Sequence, residues 1–284
     1  MNKILIPTDF SRNSLKTLEY VIDNVKDIAI EVILIWVNGI RSKDLLIPED
    51  EESSTEKAAV SRLESIIAEY SPKLKEGSKM TYRIRSGKVH IEIANQAKYD
   101  DVDLVVCCTH GASGFEEHYI GSNAYRIVMY CKCPVITVRP NYRFGLPSNI
   151  FVLPIDSSRD TRQKVPVTCE LARIVQAEIH ILGVYSSKLS SIRRKVDTYV
   201  AQVERFITAE GVKHTTTFVE SEKNITKTII AYAESVDADM ISIMTEQESS
   251  AWSFLLGSYA EQMIGSSEIP VLSTTPKTLS TASF

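Results

Sequence analysis

The chain has 284 residues, and its 32 Lys and Arg residues are interleaved with 36 Asp and Glu residues, which gives a formal net charge of −4. This balance offers no basic stripe that could follow a phosphate backbone, so we expect no nucleic-acid partner. Only the short apolar run Ile4–Ile6 precedes Pro7, too little for a signal peptide, and no later segment approaches membrane-spanning length, so we expect a cytoplasmic protein.

Strand and helix patterns alternate through the first half. Lys3–Thr8 and Val32–Val37 are short β-branched runs of the kind that forms buried parallel strands. Between them, apolar residues recur at helical spacing from Leu15 to Val25. The remaining predicted elements are an acidic stretch at Pro48–Thr55, a helix to about Tyr70, a strand at Met80–Arg85, a helix at Val89–Tyr99, a strand ending at Cys108, a helix from Ser122 and a strand at Val135–Val138.

The same order of elements repeats in the second half. The segment Arg139–Pro147 is interpreted as a linker, and from Ile150 the pattern starts again with Pro154-Ile155-Asp156 in the place of Pro7-Thr8-Asp9. Parallel strands joined by helices predict an α/β fold with a doubly wound sheet in each half. We place the two domains at residues 1–140 and 148–277.

The two halves keep one register across a strand, a loop and a helix. A spacing of 136 residues separates Asp103 from Asp239, Gly121 from Gly257, and Pro134 from Pro270. Chance similarity between apolar strands would not hold that register, so the chain is interpreted as a duplicated domain. The differences between the copies then carry information about function.

The first copy predicts an anion site at one edge of its sheet. In an open parallel sheet, ligands bind beyond the carboxyl ends of the strands, where the strand order reverses. If the first strand is central, Pro7-Thr8-Asp9 and Cys108-Thr109-His110-Gly111 wall this crevice. The helix starting at Gly121-Ser122 would direct free amides and the positive end of its dipole toward the same place.

These residues resemble the nucleotide-binding branch of the universal stress protein family, whose pattern after the fourth strand is G-x2-G-x9-G-[ST]. The chain has Cys108-Thr109-His110-Gly111, nine residues, and then Gly121-Ser122, so the spacing matches and Cys replaces the first Gly. The resemblance covers nearly the whole chain. It implies two tandem five-stranded domains with strand order 3-2-1-4-5 and an adenine nucleotide alpha hydrolase-like fold.

The resemblance also implies a ligand, ATP or ADP with Mg²⁺, and a set of contacts to it. Asp9 with Pro7 and Thr8 would hold the adenosine, and the backbone at Val37 would meet the adenine edge. The phosphates would lie against Gly111, Gly121, Ser122 and Asn123, and the predicted site also includes Cys108 and His110. No catalytic or metal-ligating residue is assigned, and slow ATP hydrolysis stays open.

Departures from the family pattern leave two functions open. Cys108 places a Cβ and a thiol beside the ribose, and in the second copy Met244, Glu246, Gln247 and Ile155 replace Cys108, His110, Gly111 and Thr8. The first hypothesis is a stress-response protein that binds ATP or ADP in its first domain and acts through unknown protein partners. The alternative is a nucleotide-free interaction scaffold in which both sites have degenerated.

Three site features also have purely structural interpretations. Ser122 is a common helix N-cap residue, and Asp9 could end its strand in an Asx turn. Ser258 and Glu261 have the spacing of a capping box, which explains the second Gly-Ser pair without a ligand.

Five cysteines without C-x-x-C spacing are typical of a reducing compartment. Cys131-Lys132-Cys133 is interpreted as two buried thiols rather than a metal site, since its neighbours hold no His or second Cys pair.

The fifth strands, Val135–Val138 and Val271–Thr274, contain no charge and are edges in the order 3-2-1-4-5. Such edges invite pairing with another strand. The resembled family dimerises through this strand, so we expect the two copies to pair within one chain. A homodimer of the whole chain stays open.

Overall fold

Two units, Met1–Phe144 and Gly145–Phe284, divide the chain. The structure, a computed structural model, describes residues 1–39, 49–110, 121–140, 142, 149–221, 224–245 and 259–276. Each unit consists of a parallel β-sheet whose strands are joined by helical crossovers. The α/β class and the repeated order of elements predicted from the sequence are therefore confirmed.

In the first unit the central strand is the first one. The strands are β1 (Lys3–Pro7), β2 (Glu31–Gly39), β3 (Lys79–Gly87), β4 (Leu104–Cys108) and β5 (Val135–Val138). The helices are α1 (Arg12–Val25), α2 (Glu49–Tyr70), α3 (Val89–Tyr99) and α4 (Ser122–Tyr130), with a 3₁₀ turn at Ser71–Lys73. Because β1 pairs with both β2 and β4, and these pair with β3 and β5, the strand order is the predicted 3-2-1-4-5.

The second unit repeats this topology. Its strands are β6 (Ile150–Ile155), β7 (Glu178–Tyr185), β8 (His214–Glu220), β9 (Met240–Met244) and β10 (Val271–Thr274). The helices described in it are α5 (Val165–Val175), α6 (Ser190–Ala209), α7 (Ile225–Ser235) and α8 (Tyr259–Ser266). Here β6 lies between β7 and β9, with β8 beyond β7 and β10 beyond β9.

Apolar residues of the central strands and of the facing helices form the core of each unit. Leu5 and Ile6 of β1 are fully buried, as strands covered by helices on both faces require. In α1 the stripe from Leu18 to Val25 faces the sheet, and the Ser11 hydroxyl caps the helix by accepting from the Ser14 N–H. Burial of each such aliphatic side chain contributes about 1.5–3 kcal/mol. Across the described ranges, no helix has the length and apolar character needed to cross a membrane.

Helix α2 begins earlier than the sequence predicts. The acidic stretch Pro48–Thr55 was expected to precede the helix, whereas the helix already starts at Glu49. Carboxylates in the first turn of a helix interact favourably with the helix dipole, so an acidic run is compatible with a helix start. That part of the prediction is wrong.

Candidate functional site

A pocket of about 370 Å³ lies at the carboxyl ends of β1, β2 and β4, next to the start of α4. Its lining includes each predicted site residue that the structure describes: Pro7, Thr8, Asp9, Val37, Cys108, His110, Gly121, Ser122 and Asn123. Gly111, the remaining predicted residue, lies outside the described residues. The topology thus brings together positions that are more than one hundred residues apart in the sequence.

A tight turn after β1 holds Asp9 at the pocket. The Thr8 N–H donates to the Ile35 carbonyl (2.9 Å), and the Thr8 hydroxyl accepts from the Phe10 N–H (3.0 Å). Asp9 Oδ1 accepts from the N–H (3.0 Å) and the hydroxyl (2.5 Å) of Ser11. This is the Asx turn that the sequence left as an alternative, and it fixes the direction of an exposed carboxylate.

Strand β2 extends beyond the end of β1 and forms the next wall. The register with β1 ends at the pair Pro7 and Ile35, whereas β2 continues along β3 as far as Gly39. Val37 therefore lies beyond the last residue that pairs with β1, and it lines the pocket. This position suits the predicted contact between its backbone and the edge of a planar base.

Sequence reasoning missed Trp36, which also lines the pocket. Its ring stacks on Phe10 with the centroids 6.1 Å apart, and the Arg62 guanidinium lies 5.7 Å from the Phe10 centroid. Phe10 has φ of 61°, a left-handed conformation that is rare for a bulky side chain. The only sequence signal was a Phe among turn residues, where small polar residues are usual.

The start of α4 comes close to the end of β4. The Gly121 N–H donates to the Thr109 carbonyl at 2.9 Å, and a Cβ on Gly121 would lie 2.9 Å from the same oxygen. With φ of −58°, Gly121 is required for space rather than for an unusual backbone angle. Gly121 is itself the N-cap, and Ser122 is the exposed first residue of the helix, so the interpretation of Ser122 as the cap is wrong.

Cys108 and His110 line the pocket from the side of β4. Cys108 is half-buried, and burial raises the pKa of its thiol, which therefore stays protonated at neutral pH. His110 Nδ1 lies 2.9 Å from Thr109 Oγ1, and the His110 carbonyl accepts from Asn13 Nδ2 at 3.3 Å. These contacts tie the end of β4 to α1 at the pocket.

The second unit keeps the Asp turn but changes what surrounds it. Asp156 Oδ1 accepts from the N–H (2.8 Å) and the hydroxyl (2.5 Å) of Ser158, as Asp9 does with Ser11. Ile155 and Met244, which replace Thr8 and Cys108, are completely buried. Glu246, Gln247, Gly257 and Ser258 lie outside the described residues, and with them the proposed capping box.

A lysine that the sequence reasoning missed is buried beside Asp156. Lys164 is only 2 % exposed, and its Nζ donates to the carbonyl (2.6 Å) and the hydroxyl (3.3 Å) of Thr161. Burial lowers its pKa to about 8, and nearby Asp156 opposes that shift. Helix α5 starts only at Val165, with Pro166 in its first turn, so Lys164 precedes the helix.

The first unit has smaller groups at the matching positions. Lys164 follows Asp156 by the same interval as Thr17 follows Asp9, and Tyr259 stands where the 136-residue spacing places Asn123. Burial, with a further contribution from Asp156, raises the pKa of the Tyr259 hydroxyl. The second unit therefore has larger side chains than the first at these two matching positions.

Comparison with models of protein families identifies the same family in both units. The model of the universal stress protein family matches residues 1–139 and 148–274. A universal stress protein of Methanocaldococcus jannaschii is 29% identical over 146 residues, which are 48% of this chain and 81% of that protein.

Solved structures are similar over almost the full length. The crystal structure of a universal stress protein from Archaeoglobus fulgidus has a TM-score of 0.73 at 24% identity, covering 97% of this chain and 96% of that one. A putative universal stress protein from Pseudomonas aeruginosa has a TM-score of 0.64 at 15% identity, covering 97% of this chain and 94% of that one. At these identities the likeness shows the fold.

Proposed function

The chain belongs to the universal stress protein family, in two tandem domains, and we propose that its first domain binds ATP or ADP with Mg²⁺ and acts through protein partners. The observation that carries this proposal is the pocket beyond β1 and β4, because its lining includes every described residue of the predicted nucleotide site. We expect one nucleotide per chain.

The shape of the pocket supports a nucleotide-sized ligand. Its volume of about 370 Å³ falls within the range of small-molecule sites. The absence of a Cβ at Gly121 lets the start of α4 lie against the end of β4, so that Ser122 and Asn123 line the pocket. The first amides of a helix and its dipole favour phosphate groups at such a place.

The residues of the pocket suggest a division of contacts. Asp9, whose carboxylate the Asx turn orients, would accept from a ribose hydroxyl. The Val37 backbone would contact the base, and Ser122 and Asn123, next to Gly121 at the start of α4, would contact the phosphates. Bound Mg²⁺ would neutralise phosphate charge. This arrangement binds and orients a nucleotide without requiring a chemical step.

Cys108 is the observation that favours the alternative, a nucleotide-free scaffold. Its thiol stands on the pocket wall where the ribose would lie, and it is half-buried among neighbouring atoms. A sugar in this position would have to shift away from the sulfur. Whether the site tolerates the thiol decides between the two functions.

Isothermal titration calorimetry of the full chain with Mg-ATP and Mg-ADP tests the proposal. We expect one nucleotide bound per chain. The affinity of Asp9→Asn should be lower than that of the parent by about tenfold or more, because a hydrogen bond to a charged group contributes about 1.5–3 kcal/mol. An Asn side chain can keep the Asx turn, so this variant removes the charge and leaves the backbone in place.

The matched control is Asp156→Asn, which makes the same change in the second domain. It should leave the affinity for nucleotide unchanged. Two equivalent sites per chain would contradict the asymmetry between the domains, and no heat at millimolar nucleotide would favour the scaffold. Equal weakening by both variants would place the ligand elsewhere.

A further inference from the structure

Strand β8 of the second domain has one unpaired edge. Among the strands that the structure describes, β8 pairs only with β7. At one end of β8 the Lys213 carbonyl accepts from the Ile179 N–H at 2.9 Å. At the other end the Ser221 N–H donates to the Tyr185 carbonyl at 2.9 Å. Backbone groups alternate in direction along a strand, so four residues direct their N–H and C=O groups away from β7: His214, Thr216, Phe218 and Glu220.

Helices contact both faces of β8 and leave this edge as the side on which a further strand can add. On one face, Thr216 Oγ1 donates to Glu204 Oε1 of α6 at 2.6 Å. On the other face, the Tyr232 hydroxyl of α7 donates to Thr217 Oγ1 at 3.4 Å. Phe218 remains 43% exposed. The edge therefore presents outward backbone groups together with an exposed aromatic ring.

The composition of β8 lacks the features that usually protect a sheet edge from pairing. Exposed edges tend to carry lysines, prolines or bulges. Strand β8 contains no Lys, Arg or Pro, and its three consecutive threonines and its Phe favour β-structure. The outer strand of the first domain, β3, differs because it carries Lys79, Arg83 and Arg85.

We propose that the β8 edge binds the β8 edge of a second copy of this chain, with the two strands antiparallel about a two-fold axis at Thr217. Such a contact uses the same surface on both copies, so it closes as a dimer and does not extend into a filament. It goes beyond the proposed nucleotide binding, since no residue of β8 lines the pocket.

The sequence of β8 is complementary to its own reverse, which favours a second copy as the partner. Full antiparallel overlap opposes Thr217 to itself, and it gives three further kinds of pair: Thr216 with Phe218, Thr215 with Val219, and His214 with Glu220.

In this register every outward N–H lies opposite an outward carbonyl, whereas a shift by one residue would set outward groups against inward ones. Threonine pairs and aromatic–β-branched pairs stabilise antiparallel strands, and no two like charges are opposed. The same overlap of two β3 strands would oppose Arg83 to itself, which is unfavourable.

Sedimentation velocity of the full chain over the micromolar concentration range tests the proposal. We expect a reversible equilibrium between monomer and dimer. Thr217→Lys and Thr217→Glu should each raise the dissociation constant by about tenfold or more, because like charges meet at the axis. An equimolar mixture of the two variants should restore the dimer, since Lys then faces Glu. Mixing would not rescue a strand that had merely misfolded.

A second variant tests the backbone contact. Thr216→Pro removes an outward donor and spares the hydrogen bonds to β7, so it should also weaken the dimer. The matched control is Ser86, an exposed residue of β3, where Ser86→Lys and Ser86→Glu should leave the equilibrium unchanged.

Three outcomes would overturn the proposal. The first is a parent that remains monomeric at every concentration. The second is a dimer that the Thr217 variants and Thr216→Pro leave unaffected. The third is a mixture of folded Thr217→Lys and Thr217→Glu chains that fails to dimerise, which would refute the two-fold register.

Discussion

Lys164 allows a prediction whose size follows from the structure. Its pKa is lowered from 10.5 to about 8, a shift equivalent to about 3 kcal/mol of unfavourable free energy for holding the charged form in the fold at neutral pH. Lys164→Met retains an unbranched apolar side chain of similar size to the aliphatic part of lysine and removes the amine. It also removes the two hydrogen bonds to Thr161, a loss of about 1 kcal/mol each.

The pH dependence separates the charge from the hydrogen bonds. Between pH about 8 and 10.5 the unfolded chain still binds the lysine proton and the folded chain does not, so raising the pH favours the fold. The unfolding free energy of the parent should therefore rise relative to Lys164→Met by up to about 1.4 kcal/mol per pH unit across this window. Below it the difference between the two proteins should be constant.

Urea denaturation followed by circular dichroism at a series of pH values measures this difference. Hydrogen exchange of α5 assigns the transition to the second domain. The control Lys227→Met removes an exposed lysine of α7 and should give the parental profile. Parallel pH profiles for the parent and Lys164→Met would refute the inference that a charged amine is held in the core at neutral pH.

Cys108→Gly should tighten nucleotide binding, because it makes room beside the ribose and frees the backbone. An equal or weaker affinity in calorimetry would show that the thiol is harmless or useful. Pairing of the fifth strands stays a prediction, and the direction of their backbone groups defines its test. The carbonyls of Pro134 and Val138 accept from β4, so the N–H of Thr137 points away from β4. By the same alternation, the N–H of Ser273 points away from β9. Proline at Thr137 or Ser273 should remove a donor on that side and loosen the two domains, seen as faster proteolysis between residues 139 and 147. Unchanged protease resistance in both variants would contradict the pairing.

Patterns in the amino-acid sequence are sufficient to predict the architecture of each domain. Short β-branched runs alternating with helical stripes predict parallel strands with crossover helices, because an apolar face in either element must be covered. The constant spacing between Asp103, Gly121, Pro134 and their counterparts revealed the duplication. The family pattern then supplied the strand order, and the carboxyl ends of adjacent parallel strands meet at one edge, which places Asp9 and Cys108 at one pocket.

Contacts between side chains, in contrast, become visible only in the folded chain. Trp36 and Phe10 stack, and the buried Lys164 donates to Thr161, although periodicity gives no sign of either contact. Periodicity reports which face of an element is covered, whereas a contact depends on the distance and direction of groups on different turns and loops. For that reason the sequence predicted where a ligand site would lie, and the fold decided that a lysine would be buried near the Asp of the second domain.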